Sequence, residues 1–139
     1  MFNYKSLLTF TLVALASKAA ATVAPSKQGA DTSPMVTLCP DVNPYRGGVN
    51  VPVVSDACVN LVGGLTFLNK EISSAIIPGG LVCTFFQDFG CFTVGLGNNN
   101  NQDAAVVLGE GTWNFGYLLG LSGSQNFNDM TSSFSCSPI

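Results

Sequence analysis

Asn128-Asp129-Met130-Thr131-Ser132-Ser133 and Asn69-Lys70-Glu71-Ile72-Ser73-Ser74 are two copies of one pattern, an asparagine, three variable positions and a serine pair. Each runs into a β-prone piece, Phe134–Cys136 or Ala75–Ile77. Serines entering a strand hydrogen-bond the backbone of the adjacent turn, so both loops have a structural use without any ligand. Upstream of each copy, a β-prone piece leads into a turn that carries an acid and an aromatic. These are Leu38-Cys39-Pro40-Asp41-Val42-Asn43-Pro44-Tyr45-Arg46-Gly47 and Phe85-Phe86-Gln87-Asp88-Phe89-Gly90-Cys91. The sequence therefore reads as two related units, roughly Met35–Pro78 and Gly79–Ile139.

Outward from the repeat, the pattern stays short. Met35–Leu38, Val49–Val54, Cys58–Leu61, Ser74–Ile77, Leu81–Phe86, Phe92–Leu96, Ala104–Leu108, Tyr117–Leu121 and Ser133–Cys136 are rich in Val, Ile, Phe, Leu and Thr. Clusters of Gly, Pro, Asn and Asp separate them, at Pro40–Gly48, Gly63–Gly64, Pro78–Gly80, Gly97–Asp103 and Ser122–Asp129. Such spacing predicts an all-β sandwich or barrel. No window past the N-terminus carries an amphipathic helical stripe, with Ala104–Leu108 the one stretch that also suits a helical turn.

The paired loops resemble those of the βγ-crystallin superfamily, in its small secreted microbial and fungal members. That family packs two four-strand Greek-key units into one wedge of two sheets. Its units carry an aromatic-x-x-x-x-aromatic-x-Gly hairpin and an N/D-N/D-x-x-S/T-S loop before the fourth strand. Asn128–Ser133 meets the loop pattern at every position, and Asn69–Ser74 departs from it at Lys70. The hairpins are degenerate: Pro40 stands where the first aromatic belongs, and Cys91 and Thr93 replace the second aromatic and the glycine of the other unit. The resemblance implies an all-β Greek-key sandwich of two βγ-crystallin-like units over 35–139.

It also implies calcium, a hard cation that takes carboxylate, amide, hydroxyl and carbonyl oxygens. Carried over residue by residue, the stronger site is Asn128, Asp129, the Met130 carbonyl and Ser132. Asn69, Glu71 and Ser73 form a weaker one, because Lys70 puts a cation where an acid or amide belongs; its long stem leaves it room to swing away. In the family a carbonyl from the hairpin of the other unit completes each site.

The N-terminus predicts export. Met1 to Lys5 is short and polar, Leu7–Ala16 is apolar, and Ala19-Ala20-Ala21 suits signal peptidase. The apolar run falls short of the ~20 residues that a membrane span needs. Residues 1–21 thus read as a signal peptide and 22–34 as a flexible leader, giving a secreted, extracellular chain with no membrane span. Lys27, Arg46 and Lys70 then face eight acids. Nothing basic is left to neutralise phosphates, so nucleic acid is not an expected partner. Five cysteines, Cys39, Cys58, Cys83, Cys91 and Cys136, predict two disulfides and an odd thiol, either buried or linking a dimer. The pairing stays open.

Chemistry is scarce. There is no histidine, which removes the commonest general base and both Ser-His-Asp and Cys-His arrangements. The acids sit in turns rather than in an aromatic-lined cleft, so glycoside hydrolysis has no support. The chain reads as non-enzymatic. The Asn98–Asn101 run reads as a solvated loop tip, and Trp113-Asn114-Phe115-Gly116-Tyr117 as the exposed aromatic patch. An extracellular structural or surface-associated role is expected, with a secreted toxin or effector, or a proteinase inhibitor, as the alternatives; the extracellular partner is unknown.

Overall fold

The computed structural model describes residues 33–93, 105–120 and 123–139. The expected signal peptide, nearly all of the leader and the Asn98–Asn101 run lie outside the described residues. Ten strands form among those described. They are β1 (Met35–Cys39), β2 (Val49–Pro52), β3 (Cys58–Asn60), β4 (Ser74–Ile77), β5 (Leu81–Phe86), β6 (Ala105–Leu108), β7 (Gly111–Asn114), β8 (Leu118–Gly120), β9 (Gly123–Gln125) and β10 (Ser133–Pro138). A 3-10 helix spans Gly63–Leu68.

β5 shows why the sequence makes sheets. Leu81, Cys83 and Phe85 are buried while Val82, Thr84 and Phe86 between them are only half-buried, the period-two alternation of a strand with one face on a core. Two antiparallel four-strand sheets result, ordered β2-β1-β4-β7 and β3-β10-β5-β6, with β8-β9 a separate hairpin. The order reveals the connection. In each unit the first two strands pair as neighbours, the third crosses to the other sheet, and the fourth returns beside the first. β3 therefore pairs with β10 of the second unit, and β7 with β4 of the first. Each sheet holds three strands of one unit and one of the other, which is the expected Greek-key sandwich with the units interlocked.

The core lies between the sheets. Phe85 stacks on Phe134 at 5.4 Å and meets Phe115 edge-on at 5.0 Å; Phe115 in turn meets Phe127 at 6.3 Å. All four rings are fully buried. Each contributes about 2–3 kcal/mol by leaving water and somewhat more from ring-on-ring geometry.

Several expectations need correction. Phe115 is not part of an exposed patch but a centre of the core. Trp113, two residues earlier and so on the same face, is half-buried against the core, its indole N–H donating to the Gly109 carbonyl at 2.9 Å. Only Tyr117 of that stretch is an exposed ring. Residues 105–108 are strand, not a helical turn. Phe92 and Thr93 are irregular, and the rest of the expected strand there lies outside the described residues. β7, β9 and the 3-10 helix were not expected.

Four cysteines pair, Cys58 with Cys91 and Cys83 with Cys136. The second bond joins directly opposed residues of β5 and β10. Cys39 keeps a free thiol that is fully buried, and its Sγ donates to the Arg46 carbonyl at 2.7 Å.

Candidate functional site

The two serine-pair loops meet. The Lys70 N–H donates to the Thr131 carbonyl at 2.9 Å, and the Asp129 N–H donates to the Ile72 carbonyl at 3.1 Å. These are the same bond made in both directions, so an approximate two-fold axis runs between the loops. Further pairs obey it. Ser73 N–H donates to the Cys39 carbonyl and Ser132 N–H to the Phe86 carbonyl, both at 2.9 Å. The Ser74 hydroxyl donates to the Asp41 carbonyl at 2.5 Å, and the Ser133 hydroxyl to the Asp88 carbonyl at 2.6 Å. The second serine of each pair thus ties its own unit's first hairpin, 33 or 45 residues back in sequence, and not the adjacent turn that was expected. Leu61/Phe115, Leu68/Phe127 and Ile72/Thr131 stand as equivalent, fully buried pairs beneath the loops.

Lys70 and Asp129 are equivalent, and both take the left-handed backbone, with φ of 60° and 57°. Asp enters that region readily because its short polar side chain bonds locally; a lysine there is uncommon. What the two side chains do differs. Asp129 Oδ1 accepts from the Ser73 hydroxyl at 3.4 Å, and Asp129 Oδ2 accepts from Asn128 Nδ2 at 2.8 Å. Lys70 Nζ donates to the Met130 carbonyl at 2.7 Å and, at closer range, to the Gln87 carbonyl. Burial draws the Lys70 pKa below its ordinary value, while the nearby Asp88 carboxylate pulls it up.

Of the expected ligands, Asp129 contacts both its neighbour Asn128 and Ser73 of the other loop, and the Met130 carbonyl is engaged by Lys70. Ser132 and Ser73 are both buried. Glu71 and Asp129 are exposed, and Asn69 and Asn128 are half-buried. The Oδ1 atoms of Asn69 and Asn128 are buried and accept no hydrogen bond. Equivalent orphaned oxygens on both sides of the axis are the donor chemistry that a hard cation takes. Among the described residues no cluster of three or more His, Cys, Asp or Glu that could hold a metal ion exists, so a cation here would add amide, hydroxyl and carbonyl oxygens to the Asp129 carboxylate.

Sequence reasoning missed the Gln87 carbonyl and the inward turn of Lys70. The departure at Lys70 was itself visible. The Asp129 side, with a carboxylate, a facing hydroxyl and an orphaned amide oxygen beside it, fits calcium. The Lys70 side does not, because an ammonium already holds the converging carbonyls.

No protein-family model matches the sequence, and no curated protein matches it. Solved structures do. A βγ-crystallin domain from work on the evolution of the eye-lens fold superposes with a TM-score of 0.52 at 19% identity, over 78% of this chain and 89% of that one. The N-terminal domain of protein S gives 0.49 at 18% identity, over 76% and 97%. A βγ-crystallin from Ciona intestinalis gives 0.48 at 22%, over 73% and 96%. The first of these carries the comparison, and at such identity it speaks to fold.

Proposed function

We propose that this chain, which has the βγ-crystallin fold, is a secreted, non-enzymatic extracellular protein whose two interlocked units are braced by one calcium ion on the Asp129 side of the paired loops. The supporting observation is that Asp129 of the second loop faces Ser73 of the first at 3.4 Å. A divalent ion shared by these two groups links the units, replacing a long hydrogen bond by a stronger cross-tie. Asn128 lies beside it with an unused oxygen. A site with one carboxylate and otherwise neutral oxygens belongs to the weak, extracellular range of affinity, on the order of 0.1–1 mM. Export fits that range, since extracellular calcium is plentiful and four of the five cysteines pair.

A calorimetric calcium titration of the EDTA-treated protein tests the reading. One site in that affinity range is expected, lost in Asp129→Gly, which keeps the left-handed backbone and removes the carboxylate. No heat in the parent, or an unchanged titration in the variant, would count against it.

A further inference from the structure

Lys70 belongs to the first unit, yet both carbonyls that its Nζ reaches belong to the second: Gln87 after β5, and Met130 before β10. Two carbonyl oxygens from separate segments that converge on one point repel each other unless something positive stands between them. At the equivalent position across the axis stands Asp129, a group that itself needs a cation. The two sides of the paired loops thus solve one problem in opposite ways.

We infer that Lys70 is a tethered cation: its ammonium takes the place of a metal ion between the Met130 and Gln87 carbonyls, so this side of the paired loops is locked without metal and the chain takes at most one divalent ion. Three observations carry it. The ammonium bonds two carbonyls of the other unit, and bonds from a charged donor are stronger than neutral ones. The residue sits at φ 60°, a backbone that lysine adopts only when its surroundings hold it there. The equivalent loop places a carboxylate in the same backbone conformation, so the exchange is one of charge and not of loop shape. A tethered ammonium has a fixed effective concentration at its site, whereas a free ion leaves when its concentration falls. The consequence is an asymmetric pair: one cross-tie that is always made, and one that responds to calcium.

The inference rests on the proposed calcium reading only for the count of one in the parent protein. Lys70→Asp restores the carboxylate at a backbone that Asp accepts, and is expected to bind one calcium ion more than the parent does. Lys70→Asp combined with Asp129→Gly reads this side alone; it is expected to bind one ion even if the parent binds none. Lys70→Met should melt below the parent by the same margin in EDTA and in calcium chloride. A measurement on the unaltered protein guards against misfolded variants: Lys70 should acylate with acetic anhydride more slowly than a free lysine amide, equally in EDTA and in calcium chloride. Two calcium ions bound by the parent, no added ion in a folded Lys70→Asp, or Lys70 acylation that speeds up with calcium would each overturn the inference.

Discussion

Ser73 and Asp129, fifty-six residues apart in sequence, face each other at 3.4 Å across the boundary between two Greek-key units. The contact exists because the third strand of each unit is paired into the other's sheet, which sets the two serine-pair loops back to back. On the opposite side of the same axis, Lys70 makes the corresponding link with an ammonium. The fold supplies the geometry, and the residue at the equivalent position, Lys70 or Asp129, decides which group makes each link.

The Lys70 link has a stability consequence apart from any metal. Lys70→Met leaves the Met130 and Gln87 carbonyls without their donor, and a lost charged hydrogen bond costs about 1.5–3 kcal/mol. Because Lys70 is only partly buried and water can reach in, the lower end is expected. Urea unfolding monitored by Trp113 fluorescence measures it as a lower midpoint at unchanged slope.

Thr131 predicts a gain. It is fully buried and its hydroxyl has no partner, while its equivalent in the first loop is the apolar Ile72. Replacing the hydroxyl with a methyl removes an unpaired polar group at nearly constant volume. Thr131→Val should therefore stabilise the protein by about 1 kcal/mol, seen as a higher melting temperature with the calcium response unaltered.

Asp56 supplies a pH dependence. Its carboxylate accepts from the Ser137 hydroxyl, and from the Ser55 hydroxyl at 2.9 Å. These bonds hold its pKa below the ordinary carboxylate value. The unfolded chain then binds the proton more tightly, so the stabilisation is complete above the unfolded pKa and is lost as pH falls through the folded one. Asp56→Asn, which tolerates the local φ of 60°, should melt below the parent at neutral pH. The gap should close when melting is followed into acid, below the usual carboxylate range.

The disulfides should open in order. Cys58 is exposed, whereas Cys83 and Cys136 are buried in the core. Mild reduction followed by alkylation and peptide mapping should label Cys58 and Cys91 first, with Cys39 unlabelled until the chain unfolds. The bonds close loops of 33 and 53 residues, and each removal should cost roughly 3–4 kcal/mol in the chain-entropy view.

What was legible in the sequence follows from which residues act locally. The serine pairs could be read because the motif repeats, although their bonds to Asp41 and Asp88 reach 33 and 45 residues back. β5 and β10 could be read from their β-prone composition between turn residues. β7 could not, because Gly111, Thr112, Trp113 and Asn114 are partly turn-like in composition, and their strand state comes from pairing with β4. Gly63-Gly64 reads as a turn, yet it opens a 3-10 helix that buries Leu68. Phe115 looked exposed because its neighbours are polar or glycine, but its N–H is held by the Ser73 carbonyl, and that bond aims the ring inward. The site was read loop by loop, whereas the fold assembles it across loops. No periodicity says that a long lysine turns in and not out.

The claim at the centre of this account is that a calcium ion on the Asp129 side braces the two units. Thermal melting of the EDTA-treated protein with and without calcium, beside Asp129→Gly, tests it most directly. The account predicts a melting temperature that rises in the parent at millimolar calcium, the weak extracellular range, and stays flat in the variant. A parent protein indifferent to calcium up to ~10 mM, well above that range, would contradict it and leave the Asp129–Ser73 contact as a plain hydrogen bond.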